Sequence, residues 1–174
     1  MNEAKISVLI SGEEIRKRVA ELGAEISRDY KGKALSLICV LKGGVIFLAD
    51  LARKLELEDI EIDFMGVSSY GGGLSSSGAV RITLDLGDKI EGKDVLLVED
   101  IVDTGRSLAY LMAHLRRQNP ASLRLCALLD KPSRRVSGLK PDYCGFSVPD
   151  KFVVGYGLDF AQKYRNLDYI GVIE

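Results

Sequence analysis

The run Val95-Leu96-Leu97-Val98-Glu99-Asp100-Ile101-Val102-Asp103-Thr104-Gly105-Arg106-Ser107-Leu108 constrains the fold more than any other part of the chain. Its four leading apolar residues read as a buried strand, and adjacent carboxylates follow where that strand is expected to end. A small polar turn then leads into an amphipathic stretch, Ser107–Gln118, with helical spacing. Strand, acidic pair, small-residue turn and helix, in that order, place a ligand at the carboxyl edge of an open parallel sheet.

The turn also suggests what the ligand is. Thr104, Gly105 and Ser107 offer hydroxyls and free backbone N–H groups at a helix amino end, where the helix dipole is positive, a good seat for a phosphate. Glu99, Asp100 and Asp103 would repel an anion held directly against them. The conflict eases if the carboxylates face a hydroxylated sugar or a divalent cation while the loop takes the phosphate. A ribose phosphate with Mg²⁺ satisfies both demands, since hard oxygen ligands suit that ion. An ordinary strand–loop–helix with Asp103 or Thr104 as N-cap explains any single residue here, but explains the whole run poorly.

Length and composition narrow the class. At 174 residues the chain is expected to form a single domain, 1–174, with a core over about 30–130 and a small hood from about 131–174 plus the N-terminal residues. A net charge of −1 with mixed signs gives no footprint for nucleic acid, so none is expected as a partner. No apolar run reaches membrane-spanning length, and the first residues lack a signal-peptide pattern, so no membrane partner is expected. Three cysteines do not make a disulfide framework. Cys39 and Cys126 lie in apolar strand-like runs, Cys144 in a loop-like context, and a reducing, cytoplasmic setting is expected. The only histidine, His114, reads as solvated helix surface.

Along the chain, Ile6–Ile10 reads as a strand, and Ser11 with Glu14 as a capping box for a helix to about Tyr30. Strands are expected at Ala34–Leu41, Ile60–Ser69, Ala79–Leu86, Asp94–Val98 and Ser122–Leu129, and a helix at Val45–Leu55. This alternation predicts an α/β fold with an open, mostly parallel twisted sheet flanked by helices. After Lys131-Pro132 the pattern loosens into the expected hood. Tyr156 and Phe160 read as core aromatics.

Two further segments carry chemistry. Leu41-Lys42-Gly43-Gly44 occupies the same strand-to-helix position as the acidic turn. Its glycines allow close backbone approach and Lys42 adds charge, which suits a pyrophosphate; a plain turn needing glycine is the alternative. From Gly71 to Gly78 every residue but Leu74 is Gly or Ser, a composition that suits either a flexible connection or a lid over a reactive intermediate.

The acidic run resembles the phosphoribosyl-pyrophosphate motif of type I phosphoribosyltransferases, a hydrophobic strand followed by Glu-Asp-x-x-Asp-Thr-Gly-x-[Ser/Thr]. The Leu41–Gly44 tetrapeptide is similar to one in the 6-oxopurine members, where it contacts pyrophosphate and often holds a non-proline cis peptide. The run from Lys151 to Phe160, then Tyr164 to Leu167, resembles the C-terminal signature of hypoxanthine-guanine phosphoribosyltransferases. These matches extend from Leu41 to Val172 in the family's order.

The resemblance implies the type I phosphoribosyltransferase fold and a role for each matched residue. Glu99, Asp100, Asp103, Thr104, Gly105, Arg106 and Ser107 would bind the ribose phosphate of phosphoribosyl pyrophosphate. Lys42, Gly43, Arg165 and the loop-stem pair Ser69 and Tyr70 would hold pyrophosphate. Lys131 would donate to the purine 6-oxygen, Phe152 would stack on the base and the Val153 backbone would border its C2 edge. Mg²⁺ would be bound by Glu99 and Asp100, and a second ion by Asp159. Asp103 would be the catalytic residue, facing purine N7.

The implied activity is purine salvage: hypoxanthine, and guanine, plus phosphoribosyl pyrophosphate give IMP, or GMP, and pyrophosphate. The implied assembly is a homodimer or homotetramer. Alternatives are a phosphoribosyltransferase for xanthine or uracil, or a pyrimidine-operon RNA-binding regulator on the same fold. Lys131 and the Phe152-Val153 run count against uracil.

Overall fold

The computed structural model describes residues 5–69 and 80–174. Along the chain run β1 (Ile6–Ile10), α1 (Gly12–Asp29), β2 (Leu35–Leu41), α2 (Val45–Ala52), β3 (Ile60–Ser69) and β4 (Val80–Leu84). There follow β5 (Asp94–Val102), α3 (Arg106–Arg116), β6 (Ser122–Asp130), β7 (Tyr143–Ser147), β8 (Val153–Val154) and β9 (Ile170–Ile173). A 3-10 turn covers Pro132–Arg134 between β6 and β7.

The main sheet has the order β4-β3-β2-β5-β6-β7. Every pairing in it is parallel except that of β4 with β3. Successive residues of β2 feed opposite faces, as the pleat requires. Leu37 and Cys39 join α1 and α2 in one core, with Ile15, Val19, Leu22, Ile26, Phe47 and Leu51. Ile38 and Val40 join α3 in the other, with Leu108, Leu111, Met112 and Leu115. Burial on both faces explains why β2 and the first half of β5 are continuously apolar rather than alternating.

The capping box at α1 is complete. Glu14 N–H donates to Ser11 Oγ at 3.2 Å, and Ser11 N–H donates to Glu14 Oε2 at 2.8 Å. A second, antiparallel sheet of order β1-β9-β8 joins the N-terminal strand to the tail, with Ile6 opposite Ile173 and Val153 opposite Val172. The Tyr156 hydroxyl ties this tail to α2 by donating to the Asp50 carboxylate. β7, within the segment expected to leave the core, instead pairs with β6 as the edge strand of the main sheet.

Four local expectations are corrected. β5 runs on to Val102, so Glu99 and Asp100 lie in the strand rather than beyond it; pairing with β6, Glu99 opposite Ala127 and Ile101 opposite Leu129, keeps the backbone extended. Phe160 is 49% exposed rather than core, because its ring stands on the surface edge-on to Phe152. His114 is not a free surface group: its Nε2 lies 3.1 Å from Asp85 Oδ2 and 3.4 Å from Gln118 Nε2. Cys144 sits on β7 rather than in a loop.

The candidate active site

From β2 the chain moves outward to β3 and β4; from β5 it moves the other way, to β6 and β7. The loops leaving these two adjacent strands therefore diverge and open a crevice at the switch point. One is Lys42-Gly43-Gly44, the other Asp103-Thr104-Gly105. The Leu41–Lys42 peptide is cis. Neither Gly43 nor Gly44 has a left-handed φ, so the glycines serve close approach, not turn geometry. A β-carbon on Gly43 would overlap the Asp100 carboxylate, and one on Gly157 would overlap the Gly43 carbonyl. The tail is thus laid backbone against backbone on the first loop, which the Asp100 carboxylate also touches.

α3 begins without any side-chain cap. Its N-cap is Gly105 at φ +80°, rather than Asp103 or Thr104. A β-carbon there would also overlap Ser137 Oγ. Arg106 N–H reaches Thr104 Oγ1 only at 3.4 Å, while Ala109 N–H closes the first helical bond on the Gly105 carbonyl. Among the described residues, the opening turn of the helix thus presents N–H donors that lack good protein partners, the arrangement that favours an anion.

Glu99 is buried and Asp100 half-buried beside it. Glu99 Oε1 accepts from Asp100 N–H at 3.0 Å, and Asp100 Oδ1 accepts from Ile101 N–H at 2.6 Å. Burial raises the Glu99 carboxyl well above its ordinary range, with the neighbouring Asp100 charge adding to it. Burial likewise raises Asp100, opposed in part by hydrogen bonding and by the Arg165 charge. Two carboxylates withdrawn from water at one strand end favour a cationic or hydroxylic ligand.

The connection after β6 closes over the second loop. Arg135 is nearly buried and spreads its donors over the Asp130 carboxylate and the carbonyls of Val102, Asp103 and Leu139. Val136 N–H adds a bond to the Thr104 carbonyl at 3.1 Å. Arg134 Nε donates to Asp103 Oδ1 at 3.1 Å, and its Nη1 lies 3.8 Å from Asp150 Oδ2. Sequence reasoning overlooked both arginines. Their signal was two consecutive cations a few residues past the carboxyl end of β6, at the same sheet edge as the acidic turn.

Lys131 is buried, and its ammonium donates to the Lys151 carbonyl at 2.6 Å. Phe152 follows directly, 55% exposed, with its ring centroid 5.6 Å from that of Phe160. Val153 is buried in β8. Lys131, Phe152 and Val153 thus form one wall, although far apart in the sequence. An exposed aromatic face beside a buried ammonium is a seat for a flat, carbonyl-bearing ring.

Arg165 and Asp159 meet each other: Nη2 lies 2.8 Å from Asp159 Oδ1, while Nη1 donates to the Gly157 carbonyl at 2.7 Å. Asp159 Oδ2 also accepts from Gln162 N–H at 2.8 Å. Lys42 and Ser107 are exposed at the crevice. Ser69 ends β3, whereas Tyr70 and the Gly/Ser-rich loop lie outside the described residues, as does the Ser69 side chain.

The phosphoribosyl transferase domain family matches residues 9–161 of this chain. The chain is 51% identical over 167 residues to the hypoxanthine-guanine phosphoribosyltransferase of Bacillus subtilis, covering 96% of this chain and 92% of that protein. The Mycobacterium avium protein of the same name is 50% identical over 174 residues, covering 97% and 85% respectively. This chain belongs to the hypoxanthine-guanine phosphoribosyltransferase family. The crystal structure of a hypoxanthine phosphoribosyltransferase from Staphylococcus aureus superposes with a TM-score of 0.93 at 46% identity, covering 99% of this chain and 93% of that one. The expected fold, a type I phosphoribosyltransferase sheet with helices on both faces, is the observed one. Among the described residues, no helix is long and apolar enough to cross a membrane.

Proposed function

We propose that this phosphoribosyltransferase joins hypoxanthine, and guanine, to the ribose 5-phosphate of phosphoribosyl pyrophosphate. The observation that carries the reading is the meeting of three features at one sheet edge. They are an uncapped helix start at Gly105, a buried carboxylate pair at Glu99 and Asp100, and the Lys131–Phe152 wall. Phosphate, sugar and base each find the chemistry they need within one crevice.

In the reaction, purine N9 attacks the anomeric carbon as the bond from that carbon to the pyrophosphate oxygen breaks. The purine gives up a proton, and Asp103 is assigned to receive it at the base's imidazole edge. Positive charge builds on the sugar and negative charge on the leaving group, so most of the work is positioning and electrostatics. The amides from Arg106 to Leu108 and the hydroxyls of Thr104 and Ser107 take the 5′-phosphate. Glu99 and Asp100 take the ribose hydroxyls. Lys42, the Gly43 backbone and Arg165 receive pyrophosphate, Arg165 exchanging its bond to Asp159 for the substrate; Ser69 and Tyr70 are assigned there too.

A hard divalent cation fits this donor set. Glu99 and Asp100 are carboxylates whose ionised form burial disfavours, and Asp159 adds a third at the pyrophosphate end. Among the described residues, no three such side chains cluster tightly enough to hold a metal by themselves. Substrate oxygens and water would complete the coordination of Mg²⁺, the habit of that ion. Bound there, Mg²⁺ would neutralise charge on the departing pyrophosphate.

Base choice follows from polarity. Lys131 has donors only, so a 6-oxo group pairs with it and adenine's 6-amino group does not. The Val153 carbonyl accepts from a 2-amino group and repels xanthine's 2-oxo group. The three cysteines are free, in keeping with a reducing cytoplasm, and the family resemblance implies a homodimer or homotetramer. Pyrophosphate release, measured with phosphoribosyl pyrophosphate, Mg²⁺ and the bases hypoxanthine, guanine, xanthine and adenine, tests the reading. Turnover is expected with the first two and essentially none with adenine; efficient adenine turnover, or none with hypoxanthine, overturns it.

A further inference from the structure

Asp103 is held at two levels by neighbouring arginines. Arg135 fixes its backbone by donating from Nε to the Asp103 carbonyl at 3.1 Å. The side chain is another matter. It is 43% exposed, and among the described residues Arg134 alone donates a hydrogen bond to it. The opposite end of the Arg134 guanidinium faces Asp150, two residues before Phe152. Arg134 therefore spans the mouth of the base slot, from the loop carrying the proton acceptor to the segment carrying the stacking ring.

We infer that Arg134 is a positioning residue that aims the Asp103 carboxylate at the base, acting through Asp103 and not on the substrate. The inference rests on the proton-accepting role assigned to Asp103 above. A carboxylate on an exposed loop samples several rotamers, and only those facing the base edge accept its proton productively. The Nε–H···Oδ1 bond selects one orientation and keeps the carboxylate as an acceptor, since a guanidinium can only donate. Asp150, 3.8 Å from Nη1, adds a looser charge attraction at the far end of the guanidinium, so the Nε–H···Oδ1 bond carries the orientation. The 3-10 turn at Pro132–Arg134 sets the starting point: Pro132 opens it, and Arg134 N–H closes it on the Lys131 carbonyl at 3.1 Å. The residue that reads the 6-oxygen and the residue that aims the proton acceptor are thus spaced by one turn of backbone.

As a half-exposed ion pair, Arg134–Asp103 contributes little to folding, and its loss leaves the melting temperature unchanged. The effect falls on turnover. Arg134→Gln is expected to lower kcat by about 10-fold, the usual range for residues coupled in one network. The Michaelis constant for phosphoribosyl pyrophosphate stays at the wild-type value. Arg134→Lys, which keeps the charge but not the fork, recovers part of the loss.

The deciding test is a double-mutant cycle in the full-length protein, with kcat measured for Asp103→Asn, Arg134→Gln and the double variant. The double variant is expected to turn over no more slowly than Asp103→Asn alone. An equal further fall in the Asp103→Asn background shows that Arg134 acts by itself and overturns the inference, as does wild-type kcat in Arg134→Gln. If Asp103→Asn alone has wild-type kcat, the role of Asp103 fails, and the inference fails with it.

Discussion

Gly43 and Asp100 occupy what is in effect one site: a β-carbon on Gly43 would lie 2.7 Å from Asp100 Cγ and closer still to Oδ2. Gly157, at φ +104°, is pressed as closely on the Gly43 backbone carbonyl. The loop after β2 therefore packs against the Asp100 side chain of β5 and against the backbone of the C-terminal tail at the crevice. The consequence is that Asp100 and the Lys42–Gly44 loop, proposed to receive pyrophosphate, cannot be displaced independently.

Gly43→Ala tests this coupling. The added methyl has to push the Asp100 carboxylate aside or shift the loop, an overpacking cost of about 1–3 kcal/mol. Because the displaced group is proposed to bind the sugar, kcat/KM for phosphoribosyl pyrophosphate is expected to fall roughly 10–100-fold. Steady-state kinetics beside a thermal melt check it. Wild-type kinetics in a folded Gly43→Ala protein would show that Asp100 has more room than the packing allows.

Asp103→Asn keeps the shape of the side chain and removes its capacity to accept a proton. General acid–base help is typically worth about 10²–10⁴-fold, so kcat is expected to fall by roughly 10²-fold or more. Binding of the sugar pyrophosphate should hardly change, because the amides of α3 and the Glu99–Asp100 pair are untouched. Turnover within a few-fold of wild type removes Asp103 from the chemistry.

How much of this was legible in the sequence depended on how local each signal was. The capping box of Ser11 and Glu14, the buried β2 and the strand-turn-helix around Gly105 were all readable, since each is written in contiguous residues with a fixed period. The end of β5 was not: two carboxylates look like a strand terminus, yet pairing with β6 carries the strand through them to Val102. Phe160 was misread because aromatic content signals burial only on average, and its ring instead stands against Phe152 at the surface. Arg134 and Arg135 escaped notice for a different reason, since two adjacent cations signal little without their partners. Asp130 is five residues from Arg135, but Asp103 and Asp150 are brought to Arg134 by the sheet order, which no short window of sequence encodes.

Lys131 offers a test of base recognition. Its ammonium is buried and donates to the Lys151 carbonyl, so a purine 6-oxygen would be received by a donor already aimed and largely desolvated. A hydrogen bond to a charged group contributes about 1.5–3 kcal/mol. Lys131→Met is therefore expected to raise KM for hypoxanthine roughly 10–100-fold and to narrow its advantage over adenine. Hypoxanthine and adenine kinetics, run side by side, measure both effects. An unchanged preference would mean that another group reads the 6-position.

The cysteines give a prediction that is independent of substrate. Cys39 lies fully buried on β2, and burial pushes its thiol up to about 12, with the nearby Glu99 and Asp100 charges adding to the effect. A thiol is neutral below its pKa, so raising the pKa suppresses the reactive thiolate. At pH 8 the Cys39 thiolate fraction is on the order of 10⁻⁴, against roughly a quarter for a free cysteine. Burial raises Cys126 in the same direction, and Cys144, half-buried on β7, less completely. Native protein at pH 8 is therefore expected to react slowly with a thiol reagent at Cys144, while Cys39 and Cys126 react only as the chain unfolds. Their labelling rates should rise with denaturant in step with the unfolding transition, and all three thiols should titrate once it is complete. Mass spectrometry of the labelled peptides resolves the sites. Rapid stoichiometric modification of Cys39 in the folded protein would mean that β2 is open to solvent, which is incompatible with its place between the two cores.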